Sequence, residues 1–150
     1  MALITHPQNG IVSGIIEKRL LIINYLWVIT SLLKSLDCWQ KCRNVRNWID
    51  KFLKTKIDKR DFDMHQNLRR AARSTTLNIA EGFGRFHFKE NIQFCRISRG
   101  SLFEIQDDLI ICVDEMKVSQ TEAYEGIRLV KEAIHSLNGY IKYLNSKINN

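Results

Sequence analysis

The chain has 150 residues, 45% of them hydrophobic and 26% charged, with 23 Lys and Arg against 16 Asp and Glu. That length fits one domain with room for a real core, and the composition excludes a disordered polar chain. One proline and seven glycines are too few turn formers for an all-β fold, so a few long helices are expected.

The N-terminal segment, residues 1–35, reads differently from the rest. Leu20 to Leu33 is almost wholly apolar and follows Glu17-Lys18-Arg19. It holds fourteen residues where a membrane span needs about 20, so membrane spanning is not expected. A basic flank and an apolar stretch also suit a signal peptide, but no A-x-A-like cleavage site follows. Two readings fit better: an extra amphipathic helix packed on the bundle or on a neighbouring subunit, or a translated leader ahead of a downstream start. No methionine stands between Met1 and Met64, so the leader reading requires a non-AUG start codon.

Residues 36–148 read as one helical domain. Asp37 is the expected N-cap of a helix running to about Lys54, because its carboxylate can accept from the orphan amides of the first turn. Its apolar stripe is Trp39, Cys42, Val45, Trp48, Ile49 and Phe52, at helical steps. Thr55 to Asp61 reads as a loop. Asp61 or Asp63 then caps a second helix, with an inner face of Met64, Leu68, Ala71, Ala72, Thr75 and Ile79. That helix is expected to end at Gly82, in the left-handed conformation that glycine tolerates.

A third helix is expected from near His87 to about Glu115, with the stripe Phe88, Ile92, Cys95, Leu102, Ile105, Leu109, Cys112 and Met116. Gly100 falls mid-helix, where glycine costs about 1 kcal/mol relative to alanine; close approach of another helix would account for it. Ser119-Gln-Thr-Glu122 is a capping box for a fourth helix. There Ala123, Ile127, Val130, Ile134, Leu137, Ile141 and Leu144 alternate steps of four and three. The expected fold is all-α, an antiparallel up-down-up-down four-helix bundle with an additional apolar N-terminal segment.

Four cysteines, Cys38, Cys42, Cys95 and Cys112, match no zinc or redox spacing, and the last three fall on the apolar stripes. They read as small core residues of a reduced, cytoplasmic protein. Glu104, Asp107 and Asp108 lie on adjacent turns and could hold a metal. A solvated acidic face paired with arginines of the second helix is the simpler reading, since carboxylate-bridged metal sites use two Glu-x-x-His pairs. Only Glu132 and His135 make such a pair, off the apolar stripe and facing solvent, and His6, His65 and His87 have no spaced partner. No metal or other cofactor is expected. No nucleophile constellation or phosphate-binding loop is present, which argues against an enzyme.

The run Arg69-Arg-Ala-Ala-Arg-Ser-Thr-Thr-Leu-Asn-Ile-Ala-Glu-Gly-Phe-Gly-Arg85 resembles the four helix bundle proteins encoded by intervening sequences within bacterial 23S ribosomal RNA genes. Leu36-Asp-Cys-Trp-Gln-Lys-Cys-Arg43, Arg99-Gly-Ser-Leu-Phe-Glu104 and Leu137-Asn-Gly-Tyr-Ile-Lys142 are similar to further segments of that family. The resemblance implies a left-handed bundle commonly assembled as a homopentamer. It also extends to the accessory proteins of diversity-generating retroelements, basic pentamers that engage nucleic acid and a reverse transcriptase. Thr75-Thr76-Leu77 stands where the family usually has Ile-Pro-Ser, which should leave the second helix straighter. Arg73 replaces a usually apolar residue and is expected at an edge of the core. The N-terminal 35 residues have no counterpart in the family.

Within the family-like motif, Asn78, Glu81, Gly82, Gly84 and Arg85 could form a polar, phosphate-approaching site. A G-x-G alone is weak for that. The structural reading is preferred: Asn78 and Glu81 serve the helix end and its arginine, Gly82 caps and Gly84 hinges. The charge is the remaining functional signal. Residues 41–99 carry 15 basic and 6 acidic side chains, and residues 100–150 carry 5 basic and 8 acidic. Such a field attracts nucleic acid, an acidic protein or an anionic membrane, although it also simply solvates a surface. The residues expected to bind nucleic acid are Arg43, Arg46, Arg69, Arg70, Arg73, Arg85, Lys89 and Arg96, by backbone-directed phosphate neutralisation. Phe83, Phe86 and His87 are the best stacking residues. The expected function is therefore non-enzymatic binding of structured RNA or DNA by a homo-oligomer; the rival is an adaptor that binds an acidic protein partner.

Overall fold

The structure is a computed structural model that describes the backbone of residues 8–148 and the side chains of residues 16–148. It is all-α: α1 (Gln8–Ser35), α2 (Asp37–Lys56), α3 (Phe62–Gly84), α4 (Phe88–Asp114) and α5 (Gln120–Ile148), with no strand among the described residues. His6 lies outside the described residues. The chain divides into two compact units, with the division between Lys34 and Ser35.

The first unit is α1. Its four consecutive residues Leu20, Leu21, Ile22 and Ile23 are all exposed, and steps of about 100° per residue carry them around the whole helix. The segment is a helix but not the expected amphipathic one, because apolar side chains occupy every side. Among the described residues, no single helix is long and apolar enough to cross a membrane.

In the second unit each helix packs on the next in sequence, and α2 also packs on α5, so that α2, α3, α4 and α5 close a ring. The ring exists because each helix carries one apolar stripe that has to leave water. Buried along the centre are Cys42, Val45 and Ile49 of α2, Leu68, Ala72 and Ile79 of α3, Leu102, Ile105 and Leu109 of α4, and Val130, Leu137 and Leu144 of α5. Burying one such Leu or Ile side chain is worth roughly 1.5–3 kcal/mol. Trp39, Trp48, Ile127 and Ile134 are only half-buried. Cys38, Leu53 and Ala133 lie deeper.

Two expected core residues lie outside it. Phe88 is 46% exposed, because it is the first residue of α4 and precedes that helix's first core turn. Met116 is 90% exposed; it follows α4 with φ 55, and that left-handed backbone turns it away while Val118 takes the buried position.

Helix ends also differ in part from expectation. Asp37 is not the cap of α2: Leu36 holds that position, and Asp37, one residue inside, accepts from Ser136 Oγ of α5 at 2.5 Å. Asp61 does cap α3, its Oδ1 accepting from the Met64 amide at 3.2 Å. The capping box forms reciprocally: the Ser119 amide donates to Glu122 Oε2 at 2.8 Å, and the Glu122 amide donates to Ser119 Oγ at 3.2 Å.

Gly82 is not a left-handed cap. It lies inside α3, buried, and a Cβ there would stand 2.8 Å from Phe94 Cβ and 3.1 Å from Asn91 Cα. Its lack of a side chain lets α3 and α4 approach. Gly100, expected to permit such an approach, faces open space, with nothing within 4 Å of a Cβ. The second close approach is at Gly126 of α5, where a Cβ would fall on the Trp48 ring and within 2.9 Å of Leu109 Cδ1.

All four cysteines are buried and free. Burial pushes the Cys42 and Cys95 thiols up to about 12 and that of Cys112 to about 11, so the reactive thiolate is scarce at neutral pH.

Candidate nucleic-acid interface

The basic side chains fall into two populations according to whether a carboxylate already holds them. At the α2–α5 seam and the α4–α5 turn they are held, although Lys131, Lys142 and Lys147 of α5 itself are in no ion pair within 4.0 Å among the described residues. Arg128 pairs with Glu125 at 2.7 Å and with Glu132, Lys56 pairs with Glu122 at 2.7 Å, and Lys41 lies 3.6 Å from Glu132. Lys117 bridges Asp61 at 2.5 Å and Glu115 at 2.7 Å. The Lys117 ammonium holds the Asp61 carboxyl below the usual carboxylate range, helped by the Met64 amide.

On α3 the pattern reverses. Arg69, Arg70 and Arg73 are exposed, and among the described residues none is part of an ion pair within 4.0 Å. The helical spacing that puts Leu68, Ala72 and Thr75 in the core turns these three out of it, with Arg69 and Arg73 flanking the α2 side. Arg73 is exposed and lies beside the buried Ile49 and Ala72, at the expected edge of the core.

Two adjoining hollows share Arg69 and Arg73, and Arg70 lines the second alone. The first, between α2 and α3, has a volume of about 240 Å³ and is rimmed by Arg46, Arg69 and Arg73 over Ile49 and Ala72. Arg46 is oriented there by donating from Nη1 to Thr76 Oγ1 at 2.9 Å. Asp50 is also on this rim. Lys54 donates to it at 2.6 Å and is the first cause of its lowered pKa, with Arg69 and Arg73 adding smaller contributions. Its charge is thus largely answered before an anion arrives. The second hollow, of about 590 Å³, runs along the outer side of α3 past Phe62, His65, Arg69, Arg70, Arg73 and Leu77. On its α4 side, burial and then the neighbouring Asp107 and Glu104 raise the Asp108 pKa, while Arg70 lowers it.

The other sequence-selected cations do not join this cluster. Arg43, Lys89 and Arg96 are exposed but line neither hollow. Arg85 is committed locally: it donates to Glu81 Oε1 at 2.8 Å and lies over the Phe94 ring, 5.4 Å from its centroid.

The Asn78–Arg85 cluster does not converge into a polar site. Asn78 Nδ2 donates one turn back, to the Ser74 carbonyl at 2.8 Å and Ser74 Oγ at 2.9 Å. Gly84 has open space around it, and the left-handed residue of the turn is Phe86, φ 53, rather than either glycine. Glu132 is engaged by Arg128 and Lys41 and is half-buried, while His135 is exposed. Among the described residues, no group of three or more His, Cys, Asp and Glu side chains could hold a metal ion.

Phe62 and Leu77 escaped the sequence reading. They are 75% and 64% exposed and lie at the two ends of the arginine face. The signal was available: both are apolar residues on a helix, yet off its inner stripe. Of the residues selected for stacking, Phe86 and His87 are exposed and Phe83 is half-buried, but none lines either hollow.

The helices and the exposed arginines of α3 define a basic, all-helical protein. A model of the family described as 23S rRNA-intervening sequence protein matches residues 34–139, which cover the arginine face and most of the helical ring. The chain belongs to that family. No curated protein matches it.

Proposed function

We propose that this protein binds nucleic acid, structured RNA or DNA, through the phosphate backbone and without catalysing a reaction. Its second unit acts as an antiparallel up-down-up-down four-helix bundle, preceded in sequence by the apolar α1. The binding form is a cytoplasmic homo-oligomer, a pentamer as the family resemblance implies.

The observation that carries this reading is the trio Arg69, Arg70 and Arg73, exposed together on α3 and not neutralised by a carboxylate partner. Guanidinium groups in this state can exchange condensed counterions for phosphates, which gives affinity with little choice of sequence. Arg46 extends the face onto α2 and Arg43, Lys89 and Arg96 add to the surrounding field, whereas Arg85 contributes less because Glu81 already answers it. The test is a titration with labelled ribosomal RNA fragments at two salt concentrations. Affinity that falls steeply with salt supports the reading; absence of binding at low salt rejects it and turns the same surface toward an acidic protein partner.

A further inference from the structure

We infer that the outer side of α3 is a track for an unpaired nucleic-acid strand, with phosphates on the α2 side and bases on the Phe62–Leu77 side. This deepens the proposed function and rests on it. A surface built only to neutralise a duplex backbone needs cations and no apolar platform. Here the arginines divide two hollows of different character. The one toward α2 is smaller, about 240 Å³, with Arg46, Arg69 and Arg73 on its rim beside Asp50, whose carboxylate Lys54 already engages; the three forked guanidinium groups suit phosphate oxygens. The other is wider, about 590 Å³, and its exposed apolar groups are Phe62, at 75%, and Leu77, at 64%.

Phe62 is the first residue of α3, so its ring lies where a base can reach it without disturbing the core. An aromatic face that stacks bases accepts any of the four, because each has a π-face. Phe62 and Leu77 are fifteen residues apart on one helix, which at 1.5 Å per residue is about 22 Å. That length accommodates a few consecutive nucleotides. Arg69, Arg70 and Arg73 fall between these ends, so the backbone would be held along the middle of the track. Duplex nucleic acid keeps its bases stacked inside and cannot use the platform, so a preference for single strands follows.

The test uses the full chain, with labelled oligouridylate as the single strand and an RNA duplex of similar charge. Wild type is expected to bind the single strand more tightly. Phe62→Ala should weaken single-strand binding about tenfold and leave duplex binding unchanged. Tyr124→Ala, an equally exposed ring on α5, should change neither. Equal binding of both probes, unaffected by Phe62→Ala, overturns the track while leaving backbone-directed binding intact. Failure of both probes to bind wild type at low salt overturns the proposed function itself.

Discussion

The Arg128 cluster on α5 and the Arg69, Arg70 and Arg73 cluster on α3 use the same guanidinium chemistry in opposite electrostatic states. On α5, Arg128 is clamped between Glu125 and Glu132, and Glu122 and Glu132 reach across to Lys56 and Lys41 of α2. On α3, Arg69, Arg70 and Arg73 stand without such partners. A count of charges along the chain would score both faces as polar and solvated. Pairing separates them: a cation already answered by a carboxylate has little attraction left for a phosphate, whereas an unanswered one retains it. Among the described residues other exposed cations, such as Arg43 and Lys131, are also unpaired, so the candidate face is the one where unanswered arginines gather around shared hollows.

The largest expected effect comes from inverting that imbalance. Changing Arg69, Arg70 and Arg73 together to Glu should weaken RNA binding at least about a hundredfold and flatten its salt dependence, with an unchanged circular-dichroism spectrum. Arg128→Glu on the balanced face should move affinity far less. Equal losses from the two changes would erase the distinction between the faces.

Next in size is a packing difference. Gly126→Ala should destabilise by about 1–3 kcal/mol in denaturant unfolding, because its methyl group meets the Trp48 ring and Leu109 on the tightly packed α2–α5 side. Gly100→Ala on α4 meets nothing within 4 Å and should instead stabilise by about 0.5–1 kcal/mol through helix propensity.

Acid should act on the paired face. The Glu122 carboxyl is held down to about 2, first by Lys56 and then by Ser119, and Asp61 is lowered chiefly by Lys117. A carboxyl depressed in the folded state contributes stability above its unfolded pKa of about 4 and loses it as pH falls through the folded value. Melting temperature should hold steady from neutral pH to about 5 and fall between there and pH 2. Glu122→Gln should remove part of that fall, whereas Arg70→Gln on α3 should leave its acid limb in place.

The smallest expected effect is on stability of the two arginine sets. Removing the Arg128 side chain (Arg128→Ala) should lower the denaturant midpoint only slightly, because exposed ion pairs contribute little. Arg69→Ala should cost less still, since no pair is broken.

Much of this architecture was legible in the sequence. The steps of three, four and seven through Ile92, Cys95, Leu102, Ile105 and Leu109, or Val130, Leu137 and Leu144, specify helices and their inner faces directly. Glycine roles were not legible: periodicity shows where a helix is, but not which partner crosses it. Gly82 was mistaken for a cap and Gly100 for a crossing point, while Gly126 went unnoticed, because the deciding neighbours Phe94, Trp48 and Leu109 come from other helices. The same limit applies to the site. The arginines of α3 stood out by their clustering, but their freedom from partners depends on cross-helix pairing elsewhere, such as Lys56 with Glu122, 66 residues apart. Phe62 and Leu77 were passed over because attention to the apolar stripe discards apolar residues that lie off it.

The most direct test of the account is the affinity of the purified full-length protein for a labelled ribosomal RNA fragment, measured at low and at physiological salt. Arg69, Arg70 and Arg73 acting on phosphates predict tight binding at low salt that weakens at least about tenfold at the higher concentration. No binding at low salt, or binding indifferent to salt, would contradict it.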